Sequence, residues 1–403
     1  MLAFISTLLA SVRGEAAWQP AFDETLGAGE RGNIQIADPG VALTFARARM
    51  DGELRLVAVT AYRGSIVEAV DLSVACAADA SDPATLFLER GYDALAHDVA
   101  HAPDRARIEI PVESLALPLE LGRHHVAVGT NYPEHASDAG TVRPFLFPKL
   151  VVPTPSGSDV AVHGGLLDYE IEIAIVPLEP LSDAAPAFLG VILANDFTDR
   201  ETLMHSVDRR DIESGRGFTT GKSFPGYLPV GNLFVIPRRW RDFVHTLELR
   251  LYVNGALRQS SPATDMVWNV EEILARTLEA RGRRWQHRGA DVPLFAAGPA
   301  ARAQTDVTGE VVGEPDGAQD DVAARTLFLT GTPHGTVFGG VPMPVIVSGI
   351  LRWAAGVFRG GVADHVVAAY IRSARDAHVY LEPGDEVLAR VPFLGEMTSR
   401  VVS

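Results

Sequence analysis

The chain has 403 residues, with 35 basic and 51 acidic side chains and a formal net charge of −16. A content of 47% hydrophobic and 21% charged residues is that of a folded globular protein and excludes wholesale disorder, while the acidic excess argues against a nucleic-acid partner. At roughly 150 residues per domain the length suits two domains or one large one. Among the 35 basic residues only Lys149 and Lys222 are lysine. A drift toward arginine accounts for the other cations but not for the two exceptions. Cys76 is the single cysteine, which excludes a disulfide framework and a thiolate metal cluster, and a small buried hydrophobe in a reducing, cytoplasmic setting is expected.

Met1 to Val12, MLAFISTLLASV, is apolar but lacks a positive leader and is too short to span a bilayer, so it is expected to be a folded first element. Residues 1–120 read as short apolar segments divided by Gly, Pro and Asp. A helix is expected around 65–78 and a strand at Arg107 to Val112. A boundary near Leu121 separates a smaller N-terminal domain, 1–120, from a domain at 121–403 that holds the motif-like stretches. From 126 to 268 the pattern is mostly β. Leu247, Leu249, Leu251 and Val253 alternate with polar partners, and Asn254-Gly255 supplies a two-residue hairpin turn. Asn269 can cap a helix, with Glu272 three residues on and Val270, Ile273, Leu274 and Leu278 as its apolar stripe. Residues 283–324 carry no period and are expected to be a surface insertion. Strand character returns at Thr326–Thr330 and at 378–402. Between them the apolar run 341–358 is broken by Pro342, Pro344 and Arg352, against a membrane helix. Many short strands with few helices make the fold mainly β with some α, a sandwich or roll rather than a βαβ sheet.

Leu166 to Val176 reads LLDYEIEIAIV. Alternation puts Leu167, Tyr169, Ile171, Ile173 and Ile175 on one strand face and Asp168, Glu170 and Glu172 on the other. Glutamates two apart on a strand stand about 7 Å apart, so both can reach one ion. A solvated polar face on a half-buried strand accounts for the same pattern. The apolar run after Glu172 speaks for burial, and a buried carboxylate pair needs a cation or a proton. Asp196 ends the apolar run Val191-Ile192-Leu193-Ala194, at a strand's mouth; a turn followed by a surface ion pair is the plainer reading. His135 with Asp138 three residues on is a candidate proton-transfer pair, beside the alternative of a structural or exposed histidine. Lys222 stands in FTTGKSFPGYLPVG, a glycine- and proline-punctuated loop that suits either close approach to a ligand or a connector. In LTGTPHG, Thr332 and the surrounding N–H groups bind a carboxylate or simply build the turn.

The order of these stretches says more than any one of them. GTNYPEHASD, DYEIEIAIV, NDFTDRE, GKSFPGYLPVG, VNGALRQ, TGTPHG and LEPGDEV follow one another. The series resembles the fumarylacetoacetate hydrolase family over roughly 126–275 and 326–400. The resemblance implies a mixed β-sandwich or roll as the C-terminal domain. It implies Glu170, Glu172 and Asp196 as ligands of a divalent metal, and oxygen donors favour Mg²⁺ or Mn²⁺, with Ca²⁺ an alternative, over Zn²⁺. It further implies His135 as the group that activates water, with Asp138 at the partner position and Glu134 as a substitute for it. Lys222 would support oxyanion charge. Arg200, Thr332, Lys149 and Tyr132 would contact substrate, Thr332 through a carboxylate and Lys149 beside the substrate channel. Glu201 and Leu203 stand where the family pattern has aspartate and glutamine. The implied function is a metal-dependent hydrolase that cleaves a C–C bond in a β-diketo acid of acylpyruvate or fumarylacetoacetate type. A decarboxylase, isomerase, hydratase or lyase on the same platform is the alternative, and a non-catalytic metal-binding relative a further one. A homodimer without membrane association is expected, with substrate specificity set by 1–125 and by the 283–324 insertion.

Overall fold

The computed structural model describes residues 22–27, 29–76, 81–133, 143–296, 321–356 and 361–403. The apolar segment Met1 to Val12 lies outside them. The N-terminal part opens with strands β1 (Ala42–Met50), β2 (Glu53–Arg63) and β3 (Ile66–Asp71), a meander extended by β4 (Arg107–Pro111). The helix expected over 65–78 is therefore mostly strand, with helix only at Leu72–Ala75. β-Branched Ile66, Val67 and Val70 suit a strand, and pairing with β2 on one side and β4 on the other decides the matter. Two helices cover this sheet: α1 (Pro83–Arg90), capped by Asp82 with proline in its first turn, and α2 (Tyr92–Ala100).

Beyond Leu121 come β5 (His124–Gly129), β6 (Phe145–Leu150), β7 (Ile171–Pro177), β8 (Leu189–Asn195) and β9 (Phe234–Pro237). Short helices α3 (Arg200–Ser206) and α4 (Phe218–Lys222) lie between β8 and β9. The hairpin of β10 (Glu248–Val253) and β11 (Ala256–Pro262) turns on Asn254 and Gly255, both at positive φ as a two-residue turn requires. Helix α5 (Val270–Glu279) starts at Asn269 with the expected capping box to Glu272. Inside the expected surface insertion, Arg284–His287 and Ala290–Pro293 form a hairpin that buries Trp285, so this part is packed rather than loose. Four-residue strands are too short to show a period. Strand β12 (Phe328–Leu329), helices α6 (Met343–Ala355) and α7 (Val362–Asp376), and strands β13 (Glu386–Val391) and β14 (Gly395–Val402) complete the order. Among the described residues no helix is long and apolar enough to cross a membrane.

One large sheet runs β4-β3-β2-β1-β9-β8-β7-β12-β5-β6, and a smaller one runs β11-β10-β13-β14 to a short strand at Asp159–Ala161. The joint between the N-terminal meander and the rest is β1 against β9, with Phe45 opposite Phe234. Strands on both sides of Leu121 thus share one sheet. Every residue of β7 and β8 is buried. These two strands run through the centre of the fold and end side by side, which is where the acidic residues lie.

Candidate active site

Antiparallel pairing sets Ile171 opposite Asn195 and Glu172 opposite Ala194. The ends of β7 and β8 are tied further: the Glu170 N–H donates to Asn195 Oδ1 at 2.8 Å, and the Asp196 N–H to the Glu170 carbonyl at 2.9 Å. Glu170 and Glu172 share a face, and Asp196 follows the last residue of β8. An oxygen from each lies within 4.8 Å of the other two. The three residues are 4%, 1% and 1% exposed, so the polar face is not solvated.

Cations surround them. Lys222, the last residue of α4 rather than part of an open loop, donates to Glu170 Oε2 at 2.7 Å, Asp196 Oδ2 at 2.8 Å and Thr198 Oγ1 at 2.7 Å. Lys149, on β6, donates to the other Asp196 oxygen and to the Tyr227 carbonyl at 2.8 Å. Both lysines of the chain therefore meet on one aspartate. Arg200 opens α3, whose cap is Asp199, and donates to Glu170 Oε1 at 2.5 Å and Asp168 Oδ2 at 2.8 Å. It is buried rather than in a surface pair; that part falls to Glu201, which bonds Arg375 at the rim. Asp168 is held in turn by the N–H groups of Val337 and Phe338.

Among the described residues four carboxylates, Asp168, Glu170, Glu172 and Asp196, face three cations, Lys149, Lys222 and Arg200. Glu172 accepts from the Gly331 N–H at 2.7 Å. Burial, then the charges of Asp196 and Glu170, push its carboxyl well above the usual range. Burial also pulls down the Lys149 ammonium, with Asp196 opposing. At Lys222 the same burial is outweighed by Asp196 and Glu170, so that ammonium is held above its ordinary value. A buried site where three hard carboxylate oxygens converge fits a divalent cation.

Thr332 is 1% exposed, and its Oγ1 accepts from Gln259 Nε2 at 2.9 Å. Gln259 Oε1 also accepts from the Ile171 N–H at 3.0 Å, so this side chain ties the start of β7 to the turn at Thr332. Tyr132 is buried, its hydroxyl meets no hydrogen-bond partner among the described residues, and the Glu172 charge acts on it. A cavity of about 120 Å³ opens beside the carboxylates, lined in part by Thr130, Glu170, Arg200, Lys222 and Thr332. Lys149, expected beside a substrate channel, is fully buried against Asp196 and is not among the described residues that line the cavity. The described lining comes from residues 128–338, with none from 1–125 or 283–324, where specificity was expected. His135, Asp138 and Glu134 lie outside the described residues. Asp168, Thr198 and Gln259 are supporting groups that sequence reasoning did not assign; each sits inside a quoted stretch, DYEIE, NDFT or VNGALRQ.

Residues 124–281 match the family described as fumarylacetoacetate (FAA) hydrolase C-terminal. The chain is 29% identical over 171 residues to oxaloacetate tautomerase FAHD1, mitochondrial, of Bos taurus, covering 39% of this chain and 72% of that one. It is 30% identical over 174 residues to oxaloacetate tautomerase YisK of Bacillus subtilis (strain 168), covering 38% and 54%. A solved structure, fumarylacetoacetate hydrolase from psychrophilic Exiguobacterium antarcticum, aligns with a TM-score of 0.52 at 19% identity, covering 90% of this chain and 99% of that one. That likeness speaks for the fold.

Proposed function

The chain belongs to the fumarylacetoacetate hydrolase family, and from that premise we propose that it is a divalent-metal-dependent hydrolase cleaving a C–C bond in a β-diketo acid. The observation that carries this reading is the buried set Glu170, Glu172 and Asp196, with oxygens within 4.8 Å of one another and Glu170 on the cavity lining. A Mg²⁺ or Mn²⁺ ion held by these three carboxylates would polarise adjacent substrate oxygens and offset enolate charge.

The chain's own groups supply the rest of the proposal. Lys222 is fixed by three hydrogen bonds on the cavity wall, where an ammonium stabilises developing oxyanion charge. Arg200 and Lys149 hold Glu170 and Asp196 in place, a positioning role for two residues first expected to contact substrate. The Thr332 hydroxyl accepts from Gln259 and retains its proton to donate to a substrate carboxylate. The buried Tyr132 hydroxyl, on which the Glu172 charge acts, is a second candidate substrate contact. In the proposed reaction His135, oriented by Asp138 or Glu134, takes a proton from water as its oxygen adds to the distal carbonyl carbon. The C–C bond then breaks, its electron pair passing into an enolate that takes up a proton, so two acids leave.

A second reading is favoured by the two tautomerase relatives: enolate chemistry on a 2-oxo acid without hydrolysis, for which no water is activated. Product analysis of an acylpyruvate incubated with Mg²⁺ or Mn²⁺ separates them. Two acid fragments mean hydrolysis; a keto–enol isomer or carbon dioxide means the alternative. Glu172→Ala is expected to abolish either activity, and an unchanged rate would sink the metal assignment.

A further inference from the structure

We infer that the site takes a 2-oxo acid whose distal substituent is uncharged and apolar. The inference rests on the proposed metal and oxo-acid reading and adds to it the chemistry of the substrate's far end.

The described lining offers two kinds of surface. Glu170, Lys222, Arg200 and Thr332 present polar groups, whereas Leu203 and Met204 of α3, then Val207, Ile212 and Phe218, form an apolar wall. Leu203 and Met204 are buried, while Val207, Ile212 and Phe218 are half-buried. Both cations on the described lining are engaged. Arg200 is bonded to Asp168 and Glu170, and Lys222 to Glu170, Asp196 and Thr198. A second carboxylate against the apolar wall would lose its hydration against carbon, with neither of those cations free to replace it. An alkyl or aryl group there would instead gain burial of apolar area.

The test is a binding series with the full-length protein in excess Mg²⁺, read by calorimetry. The ligands are pyruvate, 2-oxobutanoate, 2-oxopentanoate, 2-oxo-4-methylpentanoate and 2-oxoglutarate. Affinity is expected to rise roughly fourfold per methylene along the alkyl members. The carboxylate-ended 2-oxoglutarate should bind on the order of tenfold or more weakly than 2-oxopentanoate, its match in chain length. A flat alkyl series, or 2-oxoglutarate as the tightest ligand, overturns this inference while leaving the oxo-acid reading standing. Binding by none of the five overturns both. Ile212→Lys, at the half-buried rim of the apolar wall, should bring 2-oxoglutarate level with or ahead of the alkyl acids, and Ile212→Val should keep the original ranking. If Ile212→Lys stays folded by thermal unfolding and the ranking does not move, the apolar wall is not where the tail lies.

Discussion

Glu172 is the residue on which the site's electrostatics turn. Its carboxylate is 1% exposed, accepts from the Gly331 N–H, and has Asp196 and Glu170 as neighbours of the same sign. Glu172→Gln keeps the length and an acceptor oxygen for Gly331 while removing the charge. Without metal it should raise stability by about 1–3 kcal/mol, because a buried carboxyl beside two like charges is removed. With metal it should weaken binding by at least about tenfold, since a neutral amide is a poorer ligand for a hard cation. Thermal unfolding in chelator, beside a metal titration, reads both signs; a loss of stability in chelator would contradict the charge count.

A second residue-scale effect belongs to His125, fully buried on β5, where its Nδ1 accepts from the Leu327 N–H. Burial first, then the neighbouring His124, lowers its pKa from 6.5 to about 3. The sign follows from the folded value lying below the unfolded one. Between those values the unfolded chain binds a proton that the folded chain refuses, so stability is present above about pH 6.5 and is lost as pH falls toward 3. The slope from this one group is about 1.4 kcal/mol per pH unit inside the window. His125→Gln should unfold with a shallower pH dependence between pH 6.5 and 5, measured by denaturant midpoints; equal slopes would place the acid sensitivity elsewhere.

At the scale of elements, legibility follows how local the deciding interaction is. Helix α5 was readable because its start is written within four residues: the Asn269 side chain accepts from the Glu272 N–H and the Glu272 side chain from the Asn269 N–H. Asn269→Ala should cost about 1 kcal/mol and leave the metal site untouched, which denaturant unfolding and metal binding can check together. The Asn254-Gly255 turn was readable for the same reason. Strand β3 differs from the expected helix: one partner, β2, is a hairpin neighbour across Gly64-Ser65, but the other, β4, lies some 40 residues away, outside any local window. The carboxylates are legible by alternation and motif order, and motif order also places Lys222, Arg200 and Lys149 at the site, but not which carboxylate each one pairs with: Lys149 comes to Asp196 only through the sheet, and no spacing rule foretells it. Gly331 shows the same limit. Its φ of +88° and its approach to Asn131, where an added Cβ would stand 2.7 Å from that residue's Cβ, are set by the fold. Gly331→Ala should displace the N–H that holds Glu172 and weaken metal binding, with wild-type affinity as the outcome that would deny it this role.

For the whole molecule, the net charge of −16 does nothing to attract an anionic oxo acid, so the cations beside the carboxylates and any bound metal must supply the local field. That local field depends on a sheet that the expected boundary near Leu121 would cut. β9 pairs with β1 on one side and β8 on the other, and β8 leads directly to Asp196. Without residues 1–120, β9 becomes a sheet edge, and Val235 and Ile236, buried here, would lie along it. Phe45, fully buried opposite Phe234, would be lost with β1, leaving the large sheet without one of its central contacts. A chain beginning at Leu121 should therefore aggregate or unfold at much lower denaturant than the full chain, and bind metal weakly if at all. Adding residues 22–120 in trans should restore solubility if the two parts still recognise each other through β1 and β9. A soluble 121–403 chain with wild-type unfolding midpoint and metal affinity would instead establish it as an independent domain, with the shared sheet a docking contact between two self-sufficient units.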